Sequence, residues 1–178
     1  ENGWPEIVPN MRHRIGINSG EMVTGNMGSS MRMNYTMMGD TVNLAARLEP
    51  AAKHYGVYLF VAENTYNKVS DSFEWRFLDK IRVKGKNKPV KVYELLSEKN
   101  KLSKENSNLI TAFNEAMSLY KDQSWMKAKK IFKESEKLEE IIENRPTNPS
   151  KIYIERCNYF QKNSPGKDWD GIWTMKTK

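Results

Sequence analysis

The stretch NYTMMGDTVNLAARLEP, residues 34–50, decides how the rest of the chain is read. NYTMMG has the composition of a pleated strand and closes on a glycine turn. DTVNLAARLEPAAKHYG then reads as a helix, with Asp40 or Thr41 as its N-cap and Pro50 as a kink or the start of a new turn. Asn43 and Arg47 stand four residues apart on that helix. They therefore lie about one turn apart on one face. An amide and a guanidinium placed together at a helix start, just after a strand, call for a chemical reason.

Working outward, RHRIGINSGEMVTGNMGSS offers a short β-rich run at Ile15 and Ile17. Glycines stand at 16, 20, 25 and 28, which allow positive φ or close backbone approach. NYTMMG is expected to be the second strand of a hairpin. The methionines at 22, 27, 31, 33, 37 and 38 are expected to fill core and hairpin packing. Residues 1–11, with Pro5 and Pro9, read as irregular. VYLFVAENTYNKV reads as a buried strand and a short helix. EWRFLDKIRVKG and KPVKVYELLSE alternate as two strands around the turn KGKNK. The first part of the chain is thus mixed α and β.

The texture changes near Glu98. EKNKLSKENSN is a polar linker, expected over residues 98–108. LITAFNEAMSLYKD has helical spacing through Leu109, Ala112, Phe113, Ala116, Leu119 and Tyr120. WMKAKKIFKESEKLEEII repeats it through Trp125, Ala128, Ile131, Phe132, Ser135 and Leu138. Small alanines facing aromatics suit two antiparallel helices in close contact. NRPTNPS is a break, and KIYIERCNYFQK is a third helix. The tail SPGKDWDGIWTMK carries two tryptophans expected to cap the apolar face. The division expected is 1–97, 98–108 and 109–178.

Composition narrows the classes. The 178 residues hold 38% hydrophobic and 29% charged side chains. No apolar run approaches the roughly 18 to 20 residues of a membrane span, and no signal peptide opens the chain. A cytoplasmic setting is expected, or the cytoplasmic face of a membrane if a preceding region spans one. The opening ENGWPEIVPN reads like the middle of a longer protein. The single cysteine, Cys157, excludes an intrachain disulfide. Net charge is +7, with 13 basic and 11 acidic residues through Glu98, and 16 and 11 after it. The excess reads as a solvated lysine-rich surface. No nucleic-acid motif with interleaved aromatics appears, so nucleic acid is not an expected partner.

Three motifs, RIGINSGEMVTGNMGS, YTMMGDTVNLAARLEPAAK and VKGKNKPVKVYEL, occur in the order and spacing of one family. Residues 14–96 resemble the C-terminal half of a class III nucleotidyl cyclase catalytic domain. The resemblance implies an α+β, ferredoxin-like domain, incomplete at its N-terminus, followed by a small all-α segment. It implies synthesis of a 3′,5′-cyclic nucleotide from the triphosphate, with release of pyrophosphate. Asn43 matches the asparagine that orients the ribose, and Arg47 the arginine on the α-phosphate. Thr36 matches the base-reading position, and its hydroxyl leans toward ATP. Lys84 matches the lysine that holds the terminal phosphates. The chemistry agrees with the residue types: cyclisation moves negative charge onto phosphoryl oxygens and pyrophosphate, and a positioned arginine and lysine stabilise it there.

The same resemblance implies two Mg²⁺ or Mn²⁺ ions held by two aspartates, in motifs that do not occur here. Asp40, Asp71 and Asp79 are the aspartates before the linker, and none has that context. The metal ligands are expected from the N-terminal half of the domain, and residues 1–178 alone are expected to be inactive. A homodimer is expected, with ATP at its interface. The helical segment is similar to a tetratricopeptide hairpin through Leu119, Trp125, Ala128 and Phe132, so it is a candidate for packing on the catalytic domain or for binding a protein partner. Two other readings stay open: a guanylyl cyclase, and a metal-free module that only regulates or pairs.

Overall fold

The computed structural model describes residues 13–82, 88–139 and 145–173. The irregular stretch expected over residues 1–11 lies outside them, as do Lys84 and most of the KGKNK turn. The described chain is mixed α and β, the class expected. Its elements in order are β1 (Ile15–Ile17), β2 (Val23–Ser29), β3 (Arg32–Met38), α1 (Asp40–Tyr55), β4 (Leu59–Ala62), α2 (Glu63–Val69), β5 (Phe73–Ile81) and β6 (Val90–Glu98). Then come α3 (Lys104–Lys121), α4 (Trp125–Leu138) and α5 (Pro149–Lys162).

Four strands form one sheet in the order β1-β4-β6-β5. β1 runs parallel to β4, as expected when a helix, here α1, provides the crossover. The pairs β4–β6 and β5–β6 are antiparallel. Along α1, Leu44, Leu48, Ala52 and Tyr55 recur at helical spacing, and that stripe is the buried one. It packs on Phe60, Ala62, Leu78, Ile81 and Val92 of the sheet. Leu48, Phe60 and Leu78 are fully buried. Each such side chain contributes about 1.5–3 kcal/mol of transfer free energy.

Two local expectations at α1 give way. The N-cap is Gly39, without a side-chain cap, and Asp40 already belongs to the helix. The reason is that the hydrogen-bond ladder starts one residue early, at Asn43 N–H to Gly39 O, 3.0 Å. Pro50 starts no new element. The helix runs through it because the buried stripe on both sides of Pro50 is held by one sheet.

β2 and β3 form a separate two-stranded antiparallel sheet, with Gly25 opposite Thr36 and Asn26 opposite Tyr35. Gly25 and Gly28 lie within β2, the strand with which NYTMMG pairs in the expected hairpin. The methionines correct the reading of core packing. Met22, Met31, Met33, Met37 and Met38 are all exposed, as are Val23 and Tyr35. Neither face of the hairpin joins a buried cluster of the described residues, so strand-like composition here does not mean interior position.

The helical part begins at Lys104, five residues before the apolar spacing starts, because Ser103 caps it by accepting from Asn106 N–H. The second core gathers Phe113, Ala116, Met117 and Tyr120 of α3 with Trp125, Ala128 and Phe132 of α4 and Tyr153, Cys157 and Phe160 of α5. Trp169 and Trp173 pack against it, as expected of the tail. Ala116 and Ala128 are fully buried and let the helices approach.

The two cores meet at β5. Arg76 is buried there and donates from Nε to Glu94 (2.8 Å) and from Nη1 to Glu139 after α4 (2.8 Å). Burial alone would lower the Arg76 pKa, but Glu94 and Glu139 outweigh it and hold it above the usual value. Tyr153 Oη donates to Leu78 O at 2.7 Å. These bonds tie the helices to the sheet.

Candidate functional site

Asn43 and Arg47 both stand on the exposed side of α1, each about a quarter-turn from the buried Leu44 and Leu48. The sequence dictates this: apolar residues at 44 and 48 fix one face inward, and the i, i+4 pair at 43 and 47 falls outside that stripe. The two are about 6 Å apart along the helix axis. Thr36 lies on β3, which leads through Gly39 directly into α1, and it is exposed. Three of the four expected site residues therefore sit on consecutive elements and face solvent. Lys84 lies outside the described residues.

The segment after β1 sets where α1 begins. At Gly16 any Cβ would lie 2.5 Å from Ala45 O and 2.6 Å from Glu49 N, so strand and helix touch backbone to backbone. Only glycine permits that approach. Asn18 then donates from Nδ2 to Thr41 O at 3.1 Å, and Ser19 shares a hydrogen bond with Thr65 of α2 at 2.9 Å. Asn18 and Gly16 position the first turns of α1. Their motif, RIGINSG, is plain in the sequence, but spacing alone does not say what it touches.

Asp79, one of the three early aspartates, is buried. It accepts from Tyr55 Oη at 2.5 Å and from Arg156 Nη1 at 2.6 Å. Asp71 is exposed in the turn after α2, and Asp40 occupies the first turn of α1. Among the described residues no three His, Cys, Asp or Glu side chains form a group that could hold a metal ion. The described residues thus do not fit the Mg²⁺ or Mn²⁺ site that the resemblance implies.

A cavity of about 200 Å³ lies elsewhere, between sheet and helices, lined by Tyr58, Arg76, Glu94, Leu109, Glu139 and Arg145. Its acidic and basic groups bond to one another, so it belongs to the joint between the cores. No described helix is long and apolar enough to cross a membrane.

Comparison with known proteins agrees with the motifs. The adenylate cyclase of Dictyostelium discoideum called terminal-differentiation specific is 32% identical over 147 residues, covering 80% of this chain and 7% of that protein. That alignment is longer than the segment ending at Glu98, so the similarity runs into the helices. The adenylate cyclase of Anabaena cylindrica is 36% identical over 91 residues, 49% of this chain and 18% of that one. Adenylate cyclase 1 of Rhizobium meliloti is 36% identical over 89 residues, 50% of this chain and 13% of that one. The chain thus spans less than a fifth of the length of these relatives. Among solved structures, the adenylyl cyclase CyaB from P. aeruginosa gives a TM-score of 0.43 at 35% identity, over 51% of this chain and 45% of that one. The guanylate cyclase domain of RhGC from Catenaria anguillulae, in complex with GTP, gives 0.41 at 29% identity, over 48% and 45%. The sequence profile of the adenylate and guanylate cyclase catalytic domain matches residues 6–97, more than half of the chain, which therefore belongs to that family.

Proposed function

We propose that this chain is part of an adenylyl cyclase that converts ATP into 3′,5′-cyclic AMP and pyrophosphate. The observation that carries the reading is the pair Asn43 and Arg47, side by side on the solvent face of α1 while the buried face is locked into the sheet. In the reaction the ribose 3′-oxygen bonds to the α-phosphorus and pyrophosphate leaves. Asn43 holds the ribose so that this oxygen faces the phosphorus. Arg47 stabilises the charge that grows on the α-phosphoryl oxygens. Lys84 serves the terminal phosphates, and the Thr36 hydroxyl accepts from the exocyclic amine of adenine.

The carboxylates for metal come, in this reading, from the complementary half of the catalytic domain, so residues 1–178 on their own turn over no ATP. A second copy of the protein pairs with this one, and the nucleotide lies between them. The exposed apolar surface of the β2–β3 hairpin supports the pairing, since Met33, Tyr35 and Met37 are left in water by this chain alone.

The test is kinetic, in the protein carrying the whole catalytic domain. Asn43→Ala and Arg47→Ala each lower kcat about a hundredfold, the effect of losing about 3 kcal/mol of transition-state stabilisation, with little change in KM. An unchanged kcat with a raised KM overturns the assignment. Thr36→Ala weakens use of ATP more than use of GTP. If the preference does not move, Thr36 is only a strand residue and ATP selectivity lies elsewhere.

A further inference from the structure

The C-terminal end of α1 is gripped by the helical segment. Tyr55, its last residue, is 1% exposed, and its hydroxyl receives Arg156 Nη2 of α5 at 3.0 Å while donating to Asp79 of β5. Arg156 in turn reaches Asp79 with Nη1, and its guanidinium lies 5.6 Å from the Tyr55 ring centre, 4.9 Å from that of Tyr153 and 5.1 Å from that of Trp173. One buried cation thus joins α1, β5, α5 and the tail. The next residue, Gly56, caps α1 in the left-handed conformation at φ 64°, and a Cβ there would lie 1.9 Å from Thr147 O. Helix end and helical segment are in backbone contact at that point. Arg145 adds a long hydrogen bond, Nη1 to Gly56 O at 3.5 Å. Two arginines at a helix C-terminus also complement its dipole.

The grip has something to hold. Pro50 sits between Arg47 and Tyr55 and contributes no backbone N–H, so α1 lacks one rung of its ladder near the middle. A helix weakened there keeps its line only if both halves are tied down. Gly16 and Asn18 tie the first half, and Arg156, Tyr55 and Thr147 tie the second. The D. discoideum relative keeps its similarity across both parts of the chain.

We propose that the helical segment is a fixed part of the catalytic module, and that Arg156 and Tyr55 are positioning residues that hold α1, and with it Asn43 and Arg47, in the pose the reaction needs. This rests on the reading of Asn43 and Arg47 given above. Arg156 and Tyr55 touch no substrate; they act through the helix.

The experiment compares Tyr55→Phe, Arg156→Lys and the double variant in the protein carrying the whole catalytic domain. Tyr55→Phe keeps the ring and removes only the hydroxyl link. Arg156→Lys keeps a cation for Asp79 but not the second branch to Tyr55. Each lowers kcat about tenfold, as a small misplacement of reacting groups does, while KM for ATP stays within about twofold. Both variants break the Arg156–Tyr55 bond, so the loss in the double variant is smaller than the product of the two single losses. Hydrogen exchange at the amides of residues 48–56 accelerates in all three. Parental kcat together with parental exchange in Tyr55→Phe overturns the proposal. So does a double variant whose losses multiply, since the two residues would then act separately. Exchange needs no turnover. A parent protein without cyclase activity would therefore sink the function assigned above while leaving the grip on α1 to be judged by exchange alone.

Discussion

Replacing Arg76 by methionine removes the charge on which the joint between the two cores depends. Arg76 is 1% exposed and makes four charge-assisted contacts. Nε and Nη2 reach Glu94 at 2.8 and 2.5 Å, and Nη1 and Nη2 reach Glu139 at 2.8 and 3.2 Å. Its guanidinium also lies 5.0 Å from the ring centre of Phe113 on α3. Methionine fills much of the volume but leaves two carboxylates facing each other in a poorly hydrated place. Breaking a buried pair by removing one partner costs about 3–5 kcal/mol. That is a large share of the roughly 5–15 kcal/mol by which a domain is stable.

The loss carries a pH signature. Burial already raises the Glu94 pKa, against the pull of Arg76. Without Arg76 it rises further, so the folded variant holds a proton that the unfolded chain releases above its ordinary carboxylate pKa. Protons bound to the folded state make stability fall as pH rises. The deficit relative to the parent is therefore largest near pH 8 and shrinks toward pH 5. Urea unfolding of parent and variant at both values, read by tryptophan fluorescence, measures it. A deficit below about 1 kcal/mol at pH 8, or one that does not change with pH, would refute the view that Arg76 neutralises a buried carboxylate pair.

Gly16→Ala places a methyl 2.5 Å from Ala45 O; overpacking of this kind costs about 1–3 kcal/mol, so Tm should drop by several degrees, and an unchanged Tm would mean β1 and α1 are looser than described. Cys157 is fully buried and its thiol is pushed up to about 12, so it should ignore a disulfide reagent at pH 8 in the folded protein and react at once in denaturant. Because that pKa is raised, its contribution to stability is intact below about pH 9 and is lost as pH rises toward 12; a thermal midpoint that holds level across this range would contradict the burial.

The sequence was most legible where one face of an element is buried and the other is not. The α1 stripe at 44, 48, 52 and 55 both predicts the helix and, by exclusion, turns Asn43 and Arg47 outward. The repeated apolar spacing through Phe113 and Phe132 likewise located α3 and α4. The hairpin was less legible, because a strand composed of Met, Tyr and Thr looks the same whether its cover belongs to its own chain or not. Least legible were the ties between distant segments. Nothing local in the sequence marks Arg76, Asp79 or Arg156 as buried, and no local pattern says that Glu139 lies 63 positions from its partner and Arg156 lies 77 from its own. Periodicity reports what an element buries, not whom it meets.

The bare hairpin also makes the chain its own reporter of oxidation. Thioether sulfur in contact with water is converted to the sulfoxide first, and that product is polar and chiral. Met31 and Met33 on the arm, at 94% and 57% exposure, should take up oxygen under mild peroxide while Met117, at 5%, is spared. Whatever covers the arm would shield its sulfurs, so the ratio of oxidised Met33 to oxidised Met126, a fully separate exposed site on α4, records by mass spectrometry how long each molecule has spent uncovered.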